Sequence, residues 1–328
     1  MPVPKVGLIG AGGISAVHAE AWRSLGAHVQ VHALSGAEQL AEEYGFTAVD
    51  SLDGVLDHAD IVDIVTPSST HAALASAAIA AGVHVICEKP LAQDARQAQD
   101  VVDAADAAGV RLFPAHVVRY FGEYAAIKDR IDAGVVGRVA TQRFSRAGAA
   151  PESPWFFDES RGGGLIRDLM IHDLDQALWF AGPVTSVYAT QNPPTVDDVV
   201  PCPVVAQVVL THANGVISSV QSAWLAPGMP FRVSVEVSGS TGRLSHSSAD
   251  DAALTVDTVA VGPEGYLPPL TSGPTPYELE IRDFLEAIRT GAPARVTPAD
   301  AVEAVALADA AYASLAAGAP ITVAEVSR

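Results

Sequence analysis

Cysteine is almost missing from this chain. Cys87 and Cys202 are the two present in 328 residues, which excludes a disulfide framework and fits a reducing cytoplasm. Positive charge is also scarce: Lys and Arg total 19 against 38 Asp and Glu, a formal charge of −19. Nucleic acid and anionic membrane surfaces need clustered cations, so neither is expected as a partner. No apolar run is long enough to span a bilayer, which takes about 20 residues; the most apolar stretch, Ala72 to Val83, is Ala-rich and flanked by His71 and His84. The start, Met-Pro-Val-Pro-Lys, lacks the cationic head, long apolar stretch and small-residue cleavage site of a signal peptide. A cytoplasmic protein without internal repeats is expected.

What is present points to two packed domains. Hydrophobic residues make up 49% and charged residues 17%, a globular composition with ample core. The first third alternates β-branched runs with Ala-rich helical ones. Strands are read at Val6–Ile9, Val29–Leu34, Ile61–Val65, Val83–Cys87 and Val110–Phe113. Helices between them are read at Ile14–Leu25, Ala37–Tyr44, Ser69–Ala81 and Ala92–Ala108. Repeated β-α units predict a doubly wound parallel sheet, an α/β Rossmann domain, over residues 1–118.

Beyond Val118 the pattern changes. A helix is read at Tyr124–Ala133, a strand at Val139–Phe144, a Pro/Gly-rich stretch from Gly148 to Gly164, and a helix at Leu165–Phe180 stopped by Gly182-Pro183. Successive strands follow from Val184 to Val261, with Asn214-Gly215 as a hairpin signal. Two helices, Tyr277–Thr290 and Ala299–Ala317, close the chain. Residues 119–328 therefore read as an α+β domain with an open, mostly antiparallel sheet. Ligand pockets commonly form between domains, and the active site is expected there.

Three stretches carry chemistry. The run Gly10-Ala11-Gly12-Gly13-Ile14-Ser15 joins the first strand to the first helix. Gly10 suits a tight turn, Gly12 a close approach to a pyrophosphate, and the helix start supplies free N–H groups. The second strand ends without an acid for a ribose, and no Lys or Arg occurs between Arg23 and Lys89 to meet a 2′-phosphate. Ser35 can bond a ribose hydroxyl, which favours NAD over NADP. The second stretch is Glu88-Lys89-Pro90, at the carboxyl end of a parallel strand, where ligands of such sheets bind. Lys89 is one of three lysines, with Lys5 and Lys128. The third stretch places Asp168, His172 and Asp175 at i, i+4 and i+7, on one helix face. His172 suits proton exchange near neutral pH, with Asp168 to orient it. The glycines at 162, 163 and 164 are read as allowing a ligand to approach the backbone. A metal held by His172 lacks further ligands, and none is expected.

These motifs resemble the Gfo/Idh/MocA family, which includes glucose-fructose oxidoreductase and inositol dehydrogenase. The resemblance runs through Gly10 to Ser15 with His18, Thr66-Pro67 to His71, Ala81 to Pro90, and Gly162 to Asp175, and it covers nearly the whole chain. It implies NAD(P)-dependent hydride transfer at a secondary hydroxyl of a sugar or polyol, with Lys89, Asp168 and His172 as the catalytic set. The alternatives are a redox-neutral enzyme that retains its nicotinamide, such as a glycosidase, epimerase or dehydratase, and a dinucleotide- or sugar-sensing protein. The cofactor is expected to meet Gly10, Gly12, Gly13, Ile14, Ser35, Thr66, Pro67, His71, Glu88 and Lys89. The substrate is expected to meet Arg119, Tyr120, Arg146, Trp155, Tyr277, Asp168 and His172, and the loops Gly148–Arg161 and Gly262–Pro276 are expected to set its identity. By the same resemblance the second sheet forms a homo-oligomer face, in a dimer or tetramer.

Overall fold

A computed structural model describes residues 3–249 and 273–323. The chain forms two compact units, Met1–Tyr120 with Thr271–Val302, and Phe121–Leu270 with Glu303–Arg328. The first unit opens with β1 (Lys5–Ile9), α1 (Ser15–Ser24), β2 (His28–His32), α2 (Ala37–Tyr44), β3 (Thr47–Ala48), α3 (Leu52–Leu56), β4 (Ile61–Ile64), α4 (His71–Ala80), β5 (His84–Glu88), α5 (Ala95–Ala108) and β6 (Leu112–Ala115). The six strands are parallel, in the order β3-β2-β1-β4-β5-β6. Strand order reverses between β1 and β4, the point at which open α/β sheets bind ligands.

Local chemistry sets several boundaries. The Asp94 carboxylate accepts the Gln97 N–H at 2.8 Å and caps α5, so that helix starts three residues later than its apolar pattern suggests. Strand β6 runs through Pro114, which an edge strand tolerates because one side needs no ladder donor. Two short elements, β3 and α3, are too brief for periodicity to reveal; Ser51 caps α3 by accepting the Gly54 N–H. The core of this unit is aliphatic and small. Ile64, Val62, Val85 and Cys87 of the sheet pack with Ala75, Ala78, Ala98 and Val101 of the helices.

The second unit contains α6 (Gly122–Asp132), β7 (Val139–Ala149), α7 (Ile171–Ala181), β8 (Val184–Asn192), β9 (Val204–His212), β10 (Ile217–Leu225), β11 (Arg232–Gly239) and β12 (Arg243–Ser247). Then come α8 (Pro276–Thr290), α9 (Pro298–Ala317) and β13 (Ile321–Thr322). The second sheet has the order β12-β11-β7-β10-β9-β8-β13. All its pairings are antiparallel except β10 on β7. Strand β9 buries Val204, Ala206, Val208, Leu210 and His212 in strict alternation, one face inward and one outward. Gly215, at φ 86°, turns β9 into β10, as the Asn-Gly pair predicts.

Two sequence expectations are corrected here. The division at Val118 assigns everything downstream to the second domain, yet residues 273–302 pack in the first unit. The cause is apolar: Phe284 of α8 stacks on Phe113 of β6 with ring centroids 4.9 Å apart. The Leu165–Phe180 helix is not uniform either, since Ile166–Met170 forms a π turn ahead of α7. The expected strands beyond Ala249, and most of the Gly262–Pro276 loop, lie outside the described residues. No helix among the described residues is long and apolar enough to cross a membrane.

Candidate functional site

The turn between β1 and α1 is built around a backbone that only glycine adopts easily. Gly10 has φ 118°, and a Cβ there would lie 2.8 Å from the Val65 carbonyl oxygen. Its N–H donates to the His32 carbonyl at 2.8 Å, tying the turn to the end of β2. A Cβ at Gly12 or Gly13 would meet nothing within 4 Å. The turn is thus tight underneath and open above. Ile14 leads into α1, whose first turn is capped by no side chain; the Ser15 N–H turns back to the Gly12 carbonyl at 3.1 Å. The Ser15 hydroxyl donates to the same carbonyl. Ser35 is exposed in the bend after β2, beside Gly36, whose Cβ would lie 3.5 Å from that of Ala11. These residues fit a dinucleotide pyrophosphate and ribose.

Beneath this surface lies a buried polar chain. His18 of α1 places Nδ1 2.9 Å from Asp63 Oδ2 and Nε2 3.2 Å from Glu88 Oε1. Trp22 Nε1–H donates to the same Asp63 oxygen at 2.7 Å. Glu88 Oε2 accepts the Lys89 backbone N–H at 3.0 Å. Burial would lower the His18 pKa, but the two carboxylates outweigh it and raise it well above 6.5. Glu88 is the counterpart: burial pushes its carboxyl up, and the hydrogen bond and charge of His18 hold it below the usual range. Glu280 of α8 is fully buried, and burial together with the charge of Glu88 raises it well above 4.5. Tyr277, one turn earlier on α8, packs its ring 5.5 Å from that of His18.

Several of the residues expected to meet cofactor or substrate make contacts within the protein. His71 is buried, with Nδ1 2.7 Å from the Pro90 carbonyl oxygen and Nε2 2.8 Å from that of Thr66. Both ring nitrogens face the protein rather than a ligand, and burial lowers the His71 pKa. Thr66 Oγ1 lies 2.7 Å from Thr70 Oγ1, and Pro67 leads into a short 3₁₀ turn, Ser68–Thr70. Arg119 is buried and donates to Asp300 at 3.1 Å. Tyr120 donates to Asp283 at 2.7 Å, and Tyr277 is buried. All three brace α8 and the following loop within the first unit. The carboxylate of Glu88 is likewise turned to His18 and the backbone.

In the second unit, Asp168 is buried in the π turn and His172 is half-buried at the start of α7. The π turn closes i→i+5 bonds over Ile166–Met170, and such insertions concentrate at functional sites. Asp175 is fully buried and accepts Gln176 Nε2–H at 3.1 Å. The glycine triplet is packed against protein. A Cβ at Gly162 would lie 2.5 Å from the Trp155 carbonyl oxygen, one at Gly163 2.7 Å from Arg167 Cβ, and one at Gly164 2.9 Å from Val200. Arg146 is buried and paired. Its guanidinium is spent on both oxygens of Asp173, at 3.0 and 2.8 Å. Trp155 stacks on Phe156 at 3.7 Å and lines an open cleft of about 550 Å³ with Phe157, Arg161, Val199 and Val200. No group of three or more His, Cys, Asp or Glu among the described residues could hold a metal.

Sequence reasoning misses Asp63, Trp22 and Glu280. Asp63 alone leaves a trace: a carboxylate inside an otherwise apolar buried strand, which demands a partner.

Residues 4–116 match the oxidoreductase family model with an NAD-binding Rossmann fold, and residues 124–245 match the Gfo/Idh/MocA C-terminal domain. The chain belongs to the Gfo/Idh/MocA family. It is 31% identical to inositol 2-dehydrogenase of Rhizobium meliloti over 98% of this chain and 99% of that one. It is also 31% identical to an NADP(+)-dependent D-xylose 1-dehydrogenase of Haloferax volcanii, over 87% and 88%. Among solved structures, levoglucosan dehydrogenase in complex with NADH and L-sorbose superposes with a TM-score of 0.83 at 25% identity, covering 98% of this chain and 99% of that one. As a Gfo/Idh/MocA oxidoreductase, the chain carries an NAD-binding Rossmann domain.

Proposed function

We propose that this protein is an NAD(P)-dependent dehydrogenase acting on a secondary hydroxyl of a sugar or polyol. The observation that carries the reading is the open glycine turn at the reversal point of the parallel sheet, with Lys89 at the end of β5 in the same unit. Gly10, Gly12, Gly13 and Ile14 would hold the pyrophosphate and Ser35 a ribose, with NAD favoured by the absence of any nearby cation for a 2′-phosphate. The bound nicotinamide supplies the hydride acceptor for oxidation and the donor for reduction. His172, half-buried at the start of α7, takes the hydroxyl proton. Asp168 orients the imidazole. Lys89 Nζ donates to the same substrate oxygen and stabilises the charge that grows there. Trp155 offers a ring to an apolar sugar face. We also assign the protein to the cytoplasm, as a homo-oligomer through the second sheet, which light scattering on the purified protein tests.

Titration with NADH and NADPH by fluorescence, followed by a sugar and polyol panel read by nicotinamide absorbance, tests the central claim. Binding with turnover of a polyol is the expected result, and failure to bind either nucleotide sinks it. Lys89→Met should abolish turnover while leaving NADH affinity intact. Loss of binding together with the fold would make Lys89 structural.

A further inference from the structure

Lys89 is flanked by two residues that are each held by a buried histidine. On one side, Glu88 gives one carboxylate oxygen to the Lys89 N–H at 3.0 Å and the other to His18 Nε2 at 3.2 Å. His18 is itself fixed by Asp63 at 2.9 Å, and Asp63 by Trp22 at 2.7 Å. On the other side, the Pro90 carbonyl oxygen lies 2.7 Å from His71 Nδ1, while His71 Nε2 faces the Thr66 carbonyl at 2.8 Å. A neutral ring carries one N–H and donates to one of these carbonyls at a time. His18 and His71 are 0% and 1% exposed. Buried ionic and polar groups are poor devices for stability, since well-packed apolar side chains commonly do as well. What they add is direction. A lysine on a flexible four-carbon stem reaches a reacting atom reproducibly only if its backbone is fixed.

We infer that His18 and His71 are positioning residues: they clamp Glu88-Lys89-Pro90 from both ends, so that the Lys89 side chain leaves the sheet in one direction. Glu88 transmits the hold of His18 through its carboxylate, and Pro90 transmits that of His71 through its carbonyl. The inference rests on Lys89 being the residue that meets the substrate oxygen.

The test uses His18→Ala, His71→Ala and the near-isosteric Glu88→Gln in the full chain. The first readout needs no cofactor: exchange of the Lys89 amide proton, followed by NMR. It should quicken by about tenfold or more in His18→Ala and Glu88→Gln. The second is kinetic. In all three variants kcat should fall about 100-fold, with NADH affinity by fluorescence held within about threefold. Added imidazole should restore part of kcat in the two histidine variants and none in Lys89→Met. Unchanged amide exchange in both His18→Ala and Glu88→Gln overturns the inference. Loss of kcat and NADH binding together, without imidazole rescue, overturns it too and marks a structural role. Turnover by Lys89→Met would defeat the reading of Lys89 itself. A dead Lys89→Met beside histidine variants of wild-type kcat defeats only the clamp.

Discussion

Glu280 is a carboxyl group with no hydrogen-bond partner at either oxygen among the described residues. Burial and the neighbouring charge of Glu88 keep it protonated well above 4.5. The fold therefore grips a proton that the unfolded chain releases, and stability falls as pH climbs from 4.5 towards the raised folded value. His18 acts in the same direction from 6.5 upward, because its folded pKa is also raised. Glu88 acts oppositely: its depressed pKa contributes stability above 4.5 that is lost on acidification. Glu280→Gln removes a titration and keeps the shape. It should stabilise the protein by about 1 kcal/mol at about pH 8 and by little at about pH 5, as melting curves at the two values would reveal. A difference that ignores pH would mean that Glu280 ionises freely in the native state.

At the scale of elements, one ion pair and one turn decide how the second unit presents His172. Arg146 of β7 and Asp173 of α7 form a two-bond pair that is buried on both sides, and it locks the helix to the sheet. Breaking such a pair leaves an uncompensated charge, so Asp173→Ala should cost about 3–5 kcal/mol in urea unfolding. A loss under about 1 kcal/mol would show the pair to be dispensable. Much at this scale can be read from the sequence. The β-α alternation, the Asn214-Gly215 hairpin and the glycine turn all follow from local periodicity and backbone chemistry. What cannot be read is pairing across distance. Arg146 meets Asp173 after 27 residues, Tyr120 meets Asp283 after 163, and Arg119 meets Asp300 after 181. Each of these side chains resembles a binding group until its partner is seen. The π turn before α7 is similarly hidden, because its sequence carries the same apolar pattern as an ordinary helix.

For the whole molecule, ligand binding and stability are linked. A nucleotide that binds only the native state adds about 2.7 kcal/mol at a concentration 100 times its Kd, and a rise in Tm follows. NADH should give that rise, and NADPH a smaller one, since the region after β2 holds no cation. Gly12→Val separates fold from site. The position is open to a side chain, so the unliganded Tm should hardly move, while the shift with NADH disappears. A variant that keeps the full shift would place the pyrophosphate elsewhere.

The return of α8 to the first unit also has a meaning in time. Phe284 stacks on Phe113, Tyr277 covers His18, and Asp283 takes the Tyr120 hydroxyl, yet these residues are made long after the six parallel strands. A ribosome must deliver the chain through Val302 before the nucleotide-binding unit can close. During that interval His18, Phe113 and Tyr120 lack their cover. Pulse proteolysis of stalled nascent chains should find them protected only once α8 has emerged, and a fragment ending near Tyr120 should not acquire that protection on its own.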